Sequence, residues 1–180
     1  MRVIAGKYKD LKIQTIDKTT TRPIMSKMKE SIFSSLQSEL YDAEVLDLFA
    51  GSGSLGLESL SRGAASCVFV EISKEAIEVI NKNLSNVEEV AIVVNSDVLT
   101  WINLSEYKYD LIFIDPPYEF ESERVSILIN SSVKNLRDTG KIIVHRHSSS
   151  ERTNIVKKLE LDKEKSFGQS VLRIYKKVSI

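Results

Sequence analysis

Apolar residues in this chain fall into short blocks separated by stretches with a different period. Val45-Leu46 with Leu48-Phe49-Ala50, Cys67-Val68-Phe69-Val70, Ala91-Ile92-Val93-Val94, Leu111-Ile112-Phe113-Ile114, Ile142-Ile143-Val144 and Val171-Leu172 with Ile174-Tyr175 are rich in β-branched and aromatic residues. Such blocks predict buried strands. Between them, Met28, Ile32, Phe33 and Leu36, then Ile77, Ile80 and Leu84, then Val125, Leu128, Ile129 and Val133 recur at helical spacing. Ser26 and Ser73 stand where N-caps are expected, and Trp101 continues a further helix. Strand and helix alternate, which predicts an α/β domain with a mainly parallel sheet covered on both faces.

The ends of the chain read differently. Val3-Ile4 and Leu11-Lys12-Ile13 flank Gly6-Lys7-Tyr8-Lys9-Asp10, a hairpin pattern with a basic tip. Thr19-Thr20-Thr21-Arg22-Pro23 follows, held away from helix by its proline. Residues 1–24 are thus expected to form a basic extension on one domain spanning 1–180. Past the fifth strand the pattern predicts a helix near 151–158, a weak strand at about 159–166, a turn at Gly168-Gln169 and a last strand.

Two stretches carry chemistry. In the first, Asp47-Leu48-Phe49-Ala50-Gly51-Ser52-Gly53-Ser54-Leu55-Gly56, a strand runs into a glycine turn that opens a helix. Gly51-x-Gly53-x-x-Gly56 matches the dinucleotide fingerprint, and Glu71 closes the next strand twenty residues after Gly51. An acid there accepts from ribose hydroxyls, so a nucleoside cofactor is expected, NAD among the candidates. Asp47 argues against NAD, because a carboxylate is unhelpful beside a pyrophosphate and suits a ligand with an ammonium group, such as S-adenosylmethionine. Asp97, after the third strand, is placed to accept from an adenine amino group or to cap a helix. Ile72 and Val98 are placed to sandwich the ring.

In the second stretch, the strand Leu111–Ile114 stops at Asp115-Pro116-Pro117-Tyr118. Neither proline has an N–H to donate, so sheet pairing cannot continue through them. In an open α/β sheet this tip lies at the carboxyl end of a strand, where ligands bind. The Asp115 carboxylate and the Pro116 carbonyl are two acceptors for the two N–H bonds of an amine on an aromatic ring. Set out of the ring plane, they favour a pyramidal nitrogen whose lone pair is free to attack. Tyr118 offers a stacking surface, and base–aromatic stacking is worth about 1–3 kcal/mol.

Composition adds bounds. At 180 residues, 42% hydrophobic and 28% charged, the chain has the profile of an ordinary globular domain. One cysteine excludes an internal disulfide and a cysteine-rich metal site, no metal is expected, and a reducing cytoplasm fits. No apolar run approaches the ~20 residues of a membrane span. The net charge of zero hides an asymmetry. Residues 1–30 carry eight basic and three acidic side chains, residues 146–180 nine and four, and the middle eight and eighteen. Basic ends on an acidic middle fit a nucleic-acid partner.

Taken in order, Asp47-x-x-x-Gly51-Ser52-Gly53, Glu71, Asp97 and Asp115-Pro116-Pro117-Tyr118 resemble S-adenosylmethionine-dependent methyltransferases that act on exocyclic amines. With Thr21-Arg22-Pro23, Phe49 to Gly63 and Gly168-Gln169-x-x-Leu172-x-Ile174-Tyr175, nearly the whole chain is similar to one subfamily, the RsmD-type 16S ribosomal RNA guanine N2-methyltransferases. The resemblance implies a Rossmann-like class I methyltransferase fold with seven strands, the last antiparallel, and a guanine of the small ribosomal subunit as substrate. Residue by residue it implies a cofactor pocket of Asp47, Ala50, Gly51, Ser52, Gly53, Glu71, Ile72, Asp97 and Val98. It implies an amine clamp of Asp115, Pro116 and Tyr118, and an RNA-binding front of Gly6, Lys7, Arg22 and Pro23.

The chain departs from that pattern after its fifth strand, where Val144-His145-Arg146-His147 stands in place of an acidic stretch. Beside the cleft these cations are expected either to meet RNA phosphates or to form a variable rim. Other substrates stay open on the residues alone: an adenine or cytosine amine of DNA or another RNA, or a protein glutamine. A binding module that keeps the pocket without turnover is a further alternative.

Overall fold

The structure, a computed structural model, describes residues 1–16 and 26–178. Its elements follow in the order α1 (Ser26–Ser35), β1 (Glu44–Leu48), α2 (Ser54–Ser61), β2 (Ser66–Glu71), α3 (Lys74–Asn83), β3 (Val90–Asn95), α4 (Val98–Leu104), β4 (Tyr109–Ile114), α5 (Ser122–Ser132), β5 (Leu136–His147), β6 (Leu159–Phe167) and β7 (Ser170–Lys177). One seven-stranded sheet runs β3-β2-β1-β4-β5-β7-β6. The pairs among β1 to β5 are parallel, and β7 is antiparallel to both β5 and β6. The expected α/β fold with a reversed last strand is present.

Strand alternation sorts the core into two layers. Val45, Cys67, Phe69, Leu111, Phe113, Ile143, Leu172 and Ile174 face α1, α2 and α3, where Met28, Ile32, Phe33, Leu55, Leu60 and Ile80 meet them. Leu46, Leu48, Val70, Ile112, Ile114, Ile142 and Val144 face α4 and α5 through Val98, Ile102, Val125, Leu128 and Ile129. The apolar stripes legible in the sequence are the faces that pack, except at β3, the edge strand expected to be buried, where Val90 and Ile92 are exposed because no further strand or helix covers that side among the described residues.

The N-terminal hairpin forms, with Arg2 bridged antiparallel to Lys12. It docks on α2 through a buried charge cluster. Glu58, fully buried, accepts from the amides of Ile4 at 2.8 Å and Ala5 at 3.1 Å. The same carboxylate pairs with Lys29 at 3.1 Å and Arg62 at 2.8 Å. Burial pulls the Lys29 ammonium below its ordinary pKa, and Glu58 opposes that pull. A charge at this depth is tolerated only when paired and hydrogen-bonded.

One predicted element is absent. Residues 151–156 form no helix. The backbone of Asn154 is instead bonded by α5 side chains: its carbonyl accepts from Asn130 Nδ2 at 3.0 Å, and its amide donates to Ser126 Oγ at 3.1 Å. The amide of Val156 donates to Asn130 Oδ1 at 2.9 Å. A stretch rich in Ser, Thr, Asn and β-branched residues has little helix preference to set against these bonds. The fifth strand is also longer than expected. Its pairing with β7 runs to His147↔Ser170, beyond the last β4–β5 pair, Ile114↔Val144. The β5–β7 ladder therefore stands as a wall past the carboxyl edge of the sheet.

Candidate active site

Parallel register brings the two chemical stretches together. Leu48 pairs with Val70 on one side and with Ile114 on the other. The residues that follow, Phe49 to Gly53, Glu71 and Asp115, therefore leave the same edge of three adjacent strands. This is the carboxyl edge, at the crossover from β1 to β4 where the strand order reverses.

The glycine loop is shaped by backbone that few side chains tolerate. Gly51 has φ 57° and Gly53 has φ 76°, both left-handed. A Cβ on Gly51 would meet only the Phe49 carbonyl oxygen, at 3.9 Å, so its bare face is open to a ligand. Gly56 serves packing instead. A Cβ there would lie 2.2 Å from the Phe69 ring and 2.6 Å from Cys67 Sγ, so α2 lies directly on β2. Phe49 also adopts a positive φ, 59°, and packs edge-on against Phe120, with ring centroids 4.9 Å apart. That contact ties the end of β1 to the loop after β4.

Glu71 holds the loop from the side. Its Oε2 accepts from the Gly51 amide at 2.9 Å, and its Oε1 accepts from the amides of Ile72 and Ser73, both at 2.9 Å. A carboxylate has about four lone-pair sites, so one remains on Oε2 for a ribose hydroxyl. Ile72 is 66% exposed, an apolar side chain with nothing above it among the described residues, while Val98 is buried nearby at the start of α4. Asp97 caps α4, its Oδ1 accepting from the Thr100 amide at 3.0 Å and hydroxyl at 3.2 Å.

Asp47 lies deeper than a ligand-touching group. It is 1% exposed, and its Oδ2 accepts from the Gly56 amide at 3.0 Å. Burial pushes its pKa well up, the Gly56 N–H opposes this, and the charges of Asp115 and Glu71 push it further. In this structure Asp47 fastens the glycine turn to α2 through Oδ2.

At the tip after β4, Pro116 is buried and Tyr118 is 64% exposed. Asp115 Oδ1 lies 2.7 Å from His145 Nδ1, and His147 meets Tyr118 edge-on with ring centroids 5.0 Å apart. Arg146, on the opposite face of β5, is buried and donates to the Phe120 carbonyl at 2.8 Å and to Ser122 Oγ at 3.3 Å. The expectation of a phosphate-binding cation cluster here is corrected for His145 and Arg146, which turn inward onto the tip. Register could have signalled this: Phe113↔Ile143 and Ile114↔Val144, continued by one residue, set Asp115 opposite His145.

Of the expected RNA front, the described residues Gly6 and Lys7 lie away from this edge. Gly6 packs on the end of α2, where a Cβ would lie 1.8 Å from the Ser61 carbonyl oxygen. Lys7 Nζ is paired with Glu88 at 2.8 Å and Glu89 at 2.9 Å. Those glutamates precede β3, so Lys7 sits at the amino edge, opposite Asp115. Both acids raise its pKa far above the ordinary lysine value. Three of the C-terminal cations are also paired: Arg173 with Glu164, Lys176 with Glu160 and Asp162, and Lys177 with Asp138. Arg22 and Pro23 lie outside the described residues. A residue not singled out in the sequence is Asn83, whose Nδ2 donates to the Ser52 carbonyl at 2.9 Å and the Gln14 carbonyl at 3.0 Å. It links the extension to the glycine loop.

A sheet in this order with a reversed seventh strand, a glycine loop after β1, an acid after β2 and an acceptor-bearing tip after β4 is a class I methyltransferase architecture. The chain belongs to the family described as Conserved hypothetical protein 95, whose model matches residues 1–176; this is the RsmD family. It is 33% identical over 182 residues to "Putative rRNA methyltransferase YlbH" of Bacillus subtilis, covering 98% of this chain and 99% of that one. It is 30% identical over 180 residues to "Ribosomal RNA small subunit methyltransferase D" of Escherichia coli strain K12, covering 98% and 90%. Among solved structures, "Putative methyltransferase yhhF from Escherichia coli" superposes with a TM-score of 0.88 at 30% identity, covering 98% of this chain and 97% of that one.

Proposed function

We propose that this chain transfers a methyl group from S-adenosylmethionine to the exocyclic N2 amine of a guanine in small-subunit ribosomal RNA, in the cytoplasm. The observation that carries the reading is the shared edge: the glycine loop with Glu71 and the Asp115–Tyr118 tip leave adjacent strands paired through Leu48. The small-subunit RNA substrate is supported by the name of the E. coli relative.

The residues present fit the cofactor. The open face of Gly51 admits a close backbone approach, Glu71 has a lone-pair site for ribose, and exposed Ile72 offers apolar cover for adenine. Asp97 sits beside Val98 at the adenine end, its Oδ1 already used as a cap. When bound, the cofactor supplies a methyl group on a sulfonium, an electrophile that needs no further activation.

The protein's own work is on the amine. Asp115 and the Pro116 carbonyl accept its two N–H bonds and fix the nitrogen in a pyramidal geometry, which is stabilisation by pre-set dipoles. Tyr118, exposed at the rim, stacks on the base once it has left its helix. After transfer the nitrogen loses a proton to water at this open rim, so no strong base is required. Alignment of donor and acceptor is the principal contribution.

The test is mass mapping of modified guanines in small-subunit RNA from cells with and without the gene. One N2-methylguanine should disappear, return with the wild-type gene and stay absent with Asp115→Ala. An unchanged guanine map, with methyl transfer to DNA or to a protein glutamine instead, would overturn the substrate assignment.

A further inference from the structure

Past Val144, which makes the last β4–β5 pair, β5 continues as His145-Arg146-His147, and each of these three polar residues holds a different point of the tip. His145 takes the Asp115 carboxylate, Arg146 takes the Phe120 carbonyl and Ser122 hydroxyl, and His147 takes the Tyr118 ring edge. Two of the three contacts are on groups of the proposed amine clamp.

His145 has the more demanding position. Its Nδ1 lies 2.7 Å from Asp115 Oδ1, while its Nε2 is buried with no hydrogen-bond partner among the described residues. A carboxylate has only lone pairs to offer, so Nδ1 carries the proton and donates. The contact with Asp115 thus places a proton on Nδ1.

We infer that His145 is a positioning residue of the clamp: its Nδ1–H fixes the rotation of the Asp115 carboxylate, engages Oδ1, and leaves Oδ2 aimed at the substrate amine. This rests on the clamp reading given above and adds to it. An Asp side chain turns freely about its last torsion unless one oxygen is held. A clamp that works by setting two acceptors out of a ring plane is sensitive to that rotation, since misplacement of about 1 Å can cost 100-fold in rate. The Nδ1–H donor therefore serves the rate of the methyl transfer rather than the binding of either partner.

Two experiments separate this inference from the reading beneath it. The first needs no turnover. The chain holds two histidines, so 15N-detected NMR of the imidazoles of the full chain resolves both rings. His145 should give a protonated Nδ1, and the Nδ1–H signal should be lost in Asp115→Ala. An unprotonated Nδ1 in the wild type overturns the inference.

The second is steady-state kinetics on small-subunit RNA. His145→Phe keeps the ring volume and removes the donor; kcat should fall roughly 10–100-fold with RNA KM and cofactor affinity unchanged. His145→Asn, whose amide nitrogen overlies Nδ1, should recover most of the loss. If His145→Phe turns over at the wild-type rate while Asp115→Ala does not, the inference fails and the clamp stands. If Asp115→Ala itself is fully active, the clamp fails and the inference with it. If His145→Phe does not fold, the NMR result on the wild type decides.

Discussion

The carboxylate of Glu71 and the amide of Gly51 are hydrogen-bonded at 2.9 Å across the gap between the ends of β2 and β1. The same side chain that is proposed to bind ribose therefore also fixes the loop on which the cofactor rests. Removing it should cost both functions at once. Glu71→Ala is expected to weaken binding of S-adenosylhomocysteine about 10- to 100-fold, the range of one charge-assisted hydrogen bond. Titration calorimetry measures it, and an unchanged affinity would exclude Glu71 from the pocket.

Gly56 marks the closest approach of α2 to β2. Its missing side chain leaves room for the Phe69 ring, which a Cβ would meet at 2.2 Å. Gly56→Ala is expected to destabilise the fold by about 1–3 kcal/mol, as overpacking does. Thermal or denaturant unfolding gives the number.

Asp47 gives a pH prediction with a definite sign. Burial raises its folded pKa well above 3.8, so the charged form is disfavoured in the folded state relative to the unfolded one. That penalty is complete above the elevated pKa and is relieved as pH falls through it toward 3.8. Asp47→Asn keeps an oxygen to accept from the Gly56 amide without carrying charge. The variant should be more stable than wild type at neutral pH, and the gap should close on acidification. Denaturant titrations across pH would read this, and a gap that widens toward low pH would contradict it.

The fold was legible because the strands alternate cleanly. Val45 against Leu46, Phe69 against Val70, and Phe113 against Ile114 point to opposite layers, and the observed clusters follow that order. The carboxyl-edge site was legible because Gly51, Glu71 and Asp115 each end a strand. What the sequence hid is side-chain use. Asp47 reads as a ligand group or as a turn-capping carboxylate, and its Oδ2 accepts from the Gly56 amide. Gly6 and Lys7 read as a basic tip, yet Ser61 and two glutamates consume them, because nothing in a linear pattern reports that Glu88 and Glu89 fold beside residue 7. The His145–Asp115 pair needed the β4–β5 register, which depends on the irregularity between Tyr109 and Leu111. The segment at 151–156 failed for a related reason: Ser126 and Asn130 of α5 bind its backbone.

The central claim is that Asp115 and the Pro116 carbonyl act on the substrate amine and not on the cofactor. Single-turnover methyl transfer by Asp115→Ala on small-subunit RNA, with cofactor affinity measured on the same preparation, tests it most directly. The rate should fall at least about 100-fold, the scale of one lost transition-state acceptor, with cofactor affinity within about twofold of wild type. Full turnover by Asp115→Ala, or a rate loss explained entirely by weaker cofactor binding, would contradict it.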